Sequence, residues 1–372
     1  MHGRPAATAD SARRKAGRKR SATEDMRRQC ANANDLKTFV MNAFSQQARR
    51  IGIVGAGAIG GHFAARLALA GHQVSVLARG NTLDALASSG LRYTSPGEPQ
   101  RTIAVNACAR ADEIGPQDLV VIALKSYALP ALAASLAPLV GTGTVVLPVG
   151  NGLPWWYCLA PDHPLQGLRL TSVDPDGGID RALPFAQVLG GSVMASCSSP
   201  APGVVQHHSG GRITLGEPRG GVSERAACWA RILTDAGLPT TASDDIRRDL
   251  WIKLLGNACS NPLSVLTQAS TDRLLDDSRT RSIYEQLMTE CLAIGRHAGL
   301  ALDIDVAQRI AQTRELGAVK TSMLRDLEAG RPLELGAILG APLECAARLG
   351  VDAPLMRTVL ALAALRATPA VT

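Results

Sequence analysis

The sequence predicts an α/β chain in two parts, a parallel-sheet N-terminal half followed by an all-helical C-terminal half. Apolar runs without polar alternation at residues 51–54, 119–123 and 144–149 read as strands buried on both faces. A glycine turn and a helical stretch separate the first run from a further strand at 73–78. From Asp244 onward strand signals largely vanish. With 372 residues and 46% hydrophobic content, the chain can bury two domains.

The N-terminal stretch stands apart. Residues 1–48 hold ten Lys or Arg against four Asp or Glu, so +6 of the formal +7 lies there. The folded part is nearly neutral, and no nucleic-acid binding is expected of it. RRKAGRKR at 13–20 has no apolar signal-peptide core beside it, and the whole reads as a disordered basic leader, either an arm for an anionic surface or a solvated tail. Met41 offers an alternative start ten residues before the first strand.

The first strand stops at a G-x-G-x-x-G run, Gly55, Ala56, Gly57, Ala58, Ile59 and Gly60. Its glycines allow a sharp turn, close approach of a pyrophosphate and tight helix–strand packing, and the helix that follows turns unpaired N–H groups toward the phosphates. In a βαβ setting this predicts a Rossmann-type dinucleotide site; the alternative is a tight structural turn. The second strand ends at Arg79, where an NAD site would place a carboxylate. A guanidinium suits a 2′-phosphate, which favours NADP(H), unless Arg79 is merely solvated.

Residues 92–106 look turn-rich. Lys125 follows the strand at 119–123, positioned either to meet cofactor phosphate or ribose or to face solvent. After a helix over 129–139 and the strand at 144–149 comes GNGLPWW. Asn151 there can donate to and accept from a ligand, or simply make a turn. Trp155 and Trp156 suggest a lid or an interface. Residues 126–161 carry no charge, but prolines and glycines break them into pieces too short to span a membrane.

Eight cysteines without a C-x-x-C pair and seven histidines without ligand spacing indicate a reduced, cytoplasmic, metal-free protein. Residues 188–196, 203–208 and 212–216 read as strands with SGG as a hairpin turn, and 223–236 as a helix. The linker-like stretch 237–243 sets the expected boundary between domains at 49–243 and 244–372.

In DLWIKLLGNACSNPLSVL at 249–266, Lys253, Asn257 and Asn261 recur every four residues and share one helical stripe, either exposed or gathered at a site. Pro262 should bend or end that helix. In 320–340, Ser322 can bond a carboxylate or cap a helix, and Glu334 can begin a new apolar helix facing inward or stay on the surface.

The chain resembles the ketopantoate reductase (2-dehydropantoate 2-reductase) family from about residue 49 to its end. The matching residues are GAGAIGG at 55–61, Arg79, LKSY at 124–127, Asn151 with Gly152, W-x-K-L-x-x-N-x-x-x-N-P at 251–262, SML at 322–324, and G-R-P-x-E ending at Glu334. The resemblance implies a C-terminal domain similar to that of 6-phosphogluconate dehydrogenase, and NADPH-dependent reduction of a 2-oxo acid between the domains. It implies Lys253 as proton donor, Asn257 and Asn261 on the substrate hydroxyl, and Ser322 on its carboxylate. Glu334 would position substrate or nicotinamide, and Lys125 and Asn151 would contact cofactor. By fold-level analogy a homodimer is also implied.

The chain departs from the family pattern at Gly336, where an Asp is frequent, and at Thr271, near a further substrate asparagine of some members. The NGLPWWY loop resembles a divergent branch. The leading expectation is reduction of 2-dehydropantoate to (R)-pantoate in pantothenate synthesis. The alternatives are another 2-oxo or 2-hydroxy acid, or a non-catalytic NADP(H)-binding regulator.

Overall fold

The computed structural model describes residues 47–368, and Ala48–Thr372 form one compact unit. The expected basic leader lies almost wholly outside the described residues. Strand β1 (Arg50–Val54) is buried from its second residue on and leads through the glycine turn into α1 (Ala58–Leu69). β2 (Gln73–Leu77), α2 (Gly80–Ser89), β3 (Leu91–Thr94), β4 (Arg101–Ile103), β5 (Asn106–Cys108), β6 (Leu119–Ile122), α3 (Leu129–Leu136) and β7 (Val145–Pro148) follow. Five strands make a parallel sheet in the order β5-β2-β1-β6-β7.

The register of that sheet positions the site. Val54 lies opposite both Leu77 and Ile122, and Ile122 lies opposite Pro148. Four neighbouring strands therefore end level. Gly55, Arg79, Lys125 and Asn151, each one to three residues further on, emerge along the same edge, where open α/β sheets bind ligands.

The stretch expected to be turns, 92–106, instead supplies β3, β4 and the start of β5. Leu91 and Tyr93 are buried while Arg92 is exposed, a period-two alternation too short to stand out in sequence. β3 and β4 join a second sheet in the order β10-β9-β3-β4, with β8 paired to β9. After the short α4 (Gly178–Ala182), β8 (Gly190–Ala201) and β9 (Val204–Gly216) form one long hairpin.

SGG is not its turn. Gly210 and Gly211 lie inside β9 at φ +73° and +133°, opposite a register shift at Met194/Ala195, and so form a bulge; the hairpin turns at 201–204 with Gly203 at φ +68°. A Cβ on Gly210 would sit 2.5 Å from the Met194 carbonyl oxygen. Helix α5 (Glu224–Asp235) is capped by Ser223, whose Oγ accepts from Ala226 N at 3.1 Å. The stretch expected as a linker contains β10 (Thr240–Ser243), which runs parallel to β9.

The remainder is helical: α6 (Ile246–Thr267), α7 (Thr271–Asp276), α8 (Ser278–His297), α9 (Val306–Arg314), α10 (Ser322–Glu328), a π turn (Gly336–Gly340), α11 (Ala341–Leu349) and α12 (Pro354–Ala367). Helix α6 does not end at Pro262 but continues to Thr267. Leu263 and Val265 are buried beyond the proline, and Ser264 Oγ donates to the Asn261 carbonyl at 2.8 Å. Packing outweighs the one lost backbone bond.

Trp155 and Trp156 form neither lid nor exposed interface. Both are core residues, and the Trp156 ring lies so close to Gly190 that a Cβ there would sit 2.6 Å from it. They belong to a core that runs from one face of the parallel sheet into the helices, while the other face packs on the second sheet. Among the described residues no helix is long and apolar enough to cross a membrane.

Candidate functional site

A cavity of about 680 Å³ opens at the level strand ends, with Gly55, Ala56, Gly57, Arg79 and Lys125 in its wall. The three motif glycines serve different ends. Gly55 has φ +100°, and a Cβ there would meet the Ala123 carbonyl at 2.9 Å. One on Gly60 would lie 1.9 Å from the Gly55 carbonyl oxygen, so the glycine lets α1 sit against its strand. A Cβ on Gly57 would meet nothing within 4 Å apart from its chain neighbours, so that side of its backbone is open to an approaching group. Those are the requirements of a pyrophosphate cradle, and the residues fit a dinucleotide. Ala58 and Ile59 begin α1 behind the wall.

Arg79 is exposed at the mouth and immediately precedes α2. Thr82 and Arg110, which the sequence reading missed, line the same cavity. Arg110 forms an ion pair with Asp112, and nothing in its local pattern distinguishes it from a surface arginine. Asn151 is half-buried beyond β7. Its loop is docked on the π turn: Leu153 N donates to the Ala337 carbonyl at 2.8 Å, and Gly152 at φ +80° passes so close that a Cβ would lie 2.3 Å from that oxygen.

Lys125 reaches from the sheet edge to two carboxylates of the helical half. Its Nζ lies 2.7 Å from Asp326 Oδ2 and 3.0 Å from Glu334 Oε2. Burial works to lower its pKa, but Glu334 and Asp326 outweigh that and raise it. Glu334 is 4% exposed, not a surface charge, and its Oε1 also accepts from Ser126 N at 3.1 Å. It stands just before the helix and the π turn, and its carbonyl accepts from Ile338 N. Asp326 is also 4% exposed and takes a second cation, Arg331 Nε, at 2.8 Å. Asp326 was not singled out by sequence, because an Asp in a short helix carries no pattern of its own, and Arg331 entered only as part of the G-R-P-x-E run, with no partner assigned to it.

On α6, Lys253 and Asn257 are half-buried and Asn261 is 4% exposed. The stripe is therefore gathered inward rather than solvated. Burial pushes the Lys253 ammonium down to about 8, and Glu334 pulls in the opposite direction. Asn261 Nδ2 is buried without a hydrogen-bond partner, an arrangement disfavoured unless a bound group accepts from it. Ser322 is exposed at the start of α10. The cap there is Thr321, whose Oγ1 accepts from Leu324 N at 3.1 Å and meets Ser264 Oγ at 2.6 Å. Ser322 is thus not needed as the cap.

Chemically, the arrangement offers an ammonium that can hold or release a proton near neutral pH, a buried carboxylate acting on it, and amide donors on the same helix. Such a set can give a proton to an oxygen that becomes negative during reaction. No group of three or more His, Cys, Asp or Glu suited to a metal occurs among the described residues.

Known proteins bear the same pattern. Residues 51–220 match the family described as ketopantoate reductase PanE/ApbA, and residues 245–367 match its C-terminal part. A 2-dehydropantoate 2-reductase of Mesorhizobium japonicum is 42% identical over 314 residues, which is 84% of this chain and 96% of the relative. The crystal structure of 2-dehydropantoate 2-reductase from Geobacter metallireducens superposes with a TM-score of 0.75 at 31% identity, covering 85% of this chain and 99% of that one. D-mandelate dehydrogenase, solved with NADH and anilino(oxo)acetate, shares the fold at 21% identity, with a TM-score of 0.73 over 85% of this chain and 98% of its own. On these matches the chain is an oxidoreductase of the ketopantoate reductase family.

Proposed function

We propose that the protein reduces 2-dehydropantoate to (R)-pantoate with NADPH, the step that serves pantothenate synthesis, with Lys253 as proton donor. The observation that carries this reading is the inward stripe of α6, which bears a lysine poised at about 8 and, two helical turns further on, a buried amide donor that lacks a partner. A nicotinamide dinucleotide held by its pyrophosphate at the glycine turn would supply the hydride. The chain's own residues would do the rest.

As the ketone oxygen gains charge, the Lys253 ammonium stabilises it and then gives up a proton, which a lysine at 10.5 would do less readily. Asn257 and Asn261 would hold that oxygen, and Ser322 would bond the substrate carboxylate from α10. Glu334 would keep the ammonium charged, and Asn151 and Lys125 would meet the cofactor. Arg79 at the cavity mouth supports preference for a 2′-phosphate.

The test is NADPH oxidation with 2-dehydropantoate, wild type beside Lys253→Ala. Turnover in the wild type that drops about 100-fold or more in the variant supports the reading. Tight NADPH binding with no turnover would reject the substrate and leave a different 2-oxo acid. Gly336 and Thr271 motivate that second reading. The tryptophan pair no longer does, being core.

A further inference from the structure

The stretch between β7 and α4 lies along the π turn and α11, and the seam between them is fastened at several points. Besides the bond from Leu153 N to the Ala337 carbonyl, Glu344 of α11 accepts from Thr171 N at 2.7 Å and from Ser172 N at 2.8 Å. A Cβ on Gly336 would lie 2.5 Å from the Ser172 carbonyl oxygen. Two thiols meet on the same seam. Cys158 Sγ and Cys345 Sγ are 3.9 Å apart, and both residues are 0% exposed.

The backbone on either side is held in place. The Cys158 carbonyl accepts from Gly167 N at 2.9 Å, the adjoining Tyr157 ring packs beside Trp156 and Trp251, and Cys345 rides on α11 directly after Glu344. A shift of about 1 Å by each sulfur brings the pair to the bonding distance of about 2 Å. A buried cysteine by itself serves as a small apolar residue, but two in contact can also react with each other.

We propose that Cys158 and Cys345 form a redox-sensitive clamp: an oxidant of the peroxide class joins them in a disulfide that fastens the loop carrying Asn151 to the helical half. The inference is independent of which dinucleotide and which oxo acid the protein uses. One thiolate attacks a peroxide oxygen, the O–O bond breaks, hydroxide leaves, and that cysteine becomes a sulfenic acid. The second thiolate attacks the sulfenic sulfur, the S–S bond forms and a second hydroxide leaves. The two hydroxides take up the two thiol protons as water, so the sulfurs lose two electrons and the peroxide gains them.

The two cysteines are 187 positions apart, and the loop that their bond would close contains Lys253, Asn257, Asn261, Ser322 and Glu334. Closing so long a loop confines the unfolded chain strongly, which stabilises the fold. Contact with Cys158, together with burial, pushes the Cys345 thiol up, so the pair reacts slowly at neutral pH and faster as pH rises.

The test treats the folded, full-length protein with hydrogen peroxide at mildly alkaline pH, alkylates the remaining thiols, digests without reductant and maps the peptides by mass spectrometry. The expected result is a linked pair of peptides bearing Cys158 and Cys345, with a thermal midpoint raised by roughly 5 °C that dithiothreitol returns to its starting value. Peroxide should leave the midpoint of Cys345→Ala unchanged, and Cys158→Ala replaces that variant if it folds poorly. Recovery of both cysteines as alkylated thiols at every peroxide dose the fold survives overturns the inference. So does oxidation of either to a sulfinic acid without linkage, or linkage to a different cysteine, such as the half-buried Cys197 or Cys228. A linked pair that appears only in denaturant, one that leaves the midpoint where it was, or a midpoint rise that persists in the alanine variant overturns it equally.

Discussion

At Lys253 the environment bears directly on the proposed chemistry, because burial moves it from 10.5 to about 8. A proton donor in the proposed role is competent only while protonated, so under that proposal kcat/KM for reduction should fall as pH rises through about 8, and the reverse oxidation should gain over the same range. A pH–rate profile in each direction checks this. Stability follows the same shift. The unfolded chain binds the extra proton between about 8 and 10.5, so folding stability should increase with pH across that window, being lost again as pH falls toward 8. Urea melts at several pH values should show the increase in wild type and not in Lys253→Met.

Asn261 is the complementary case. Its Nδ2 is buried without a partner, so removing it relieves an unsatisfied donor while creating a small void. Asn261→Ala should leave the thermal midpoint close to wild type yet weaken turnover by roughly 10-fold or more. A large loss of stability with normal turnover would show that the amide serves the core instead. Position in the stripe was legible from the four-residue spacing. The unpartnered state of one amide was not, since it depends on what packs around α6.

At the scale of elements, the glycine turn shows local pattern at its strongest. Its three glycines answer separate steric demands within one βαβ unit, and all three lie close in sequence. The GNG loop is different. Gly152 looks like an ordinary turn residue, yet its conformation is dictated by the π turn about 185 residues later, where the Ala337 carbonyl leaves no room for a side chain. Gly152→Ala, strained by φ +80° as well as by that contact, should cost on the order of 2 kcal/mol or more in a denaturant melt. An unchanged midpoint would mean the loop is not pinned there. The bulge at Gly210 and Gly211 teaches the same lesson, because a Ser-Gly-Gly run suits a hairpin turn and a bulge equally until the partner strand is known.

Across the whole molecule, one core joins the parallel sheet to the helices, and the residues of the candidate site sit where that core reaches the level strand ends. The compact unit comprises Ala48–Thr372. A chain beginning at Met41 should therefore unfold cooperatively at the same midpoint as the full chain and retain its turnover; a lower midpoint would give the leader a structural part. Composition already separated the basic N-terminal stretch from the nearly neutral remainder, because charge counting needs no contacts.

What the sequence determined by itself were features written in neighbours: the buried strands, the glycine turn, Arg79 at a strand end, and the Lys253–Asn257–Asn261 stripe. Each follows from backbone geometry over a few residues. Tertiary structure alone decided that Trp155 and Trp156 are core, that 240–243 is a strand, and that Lys125 joins Asp326 and Glu334 across 201 and 209 residues of chain. The physical reason is that burial and ion pairing depend on which surfaces meet after folding, and an isolated lysine or tryptophan carries no periodicity from which its partner can be read.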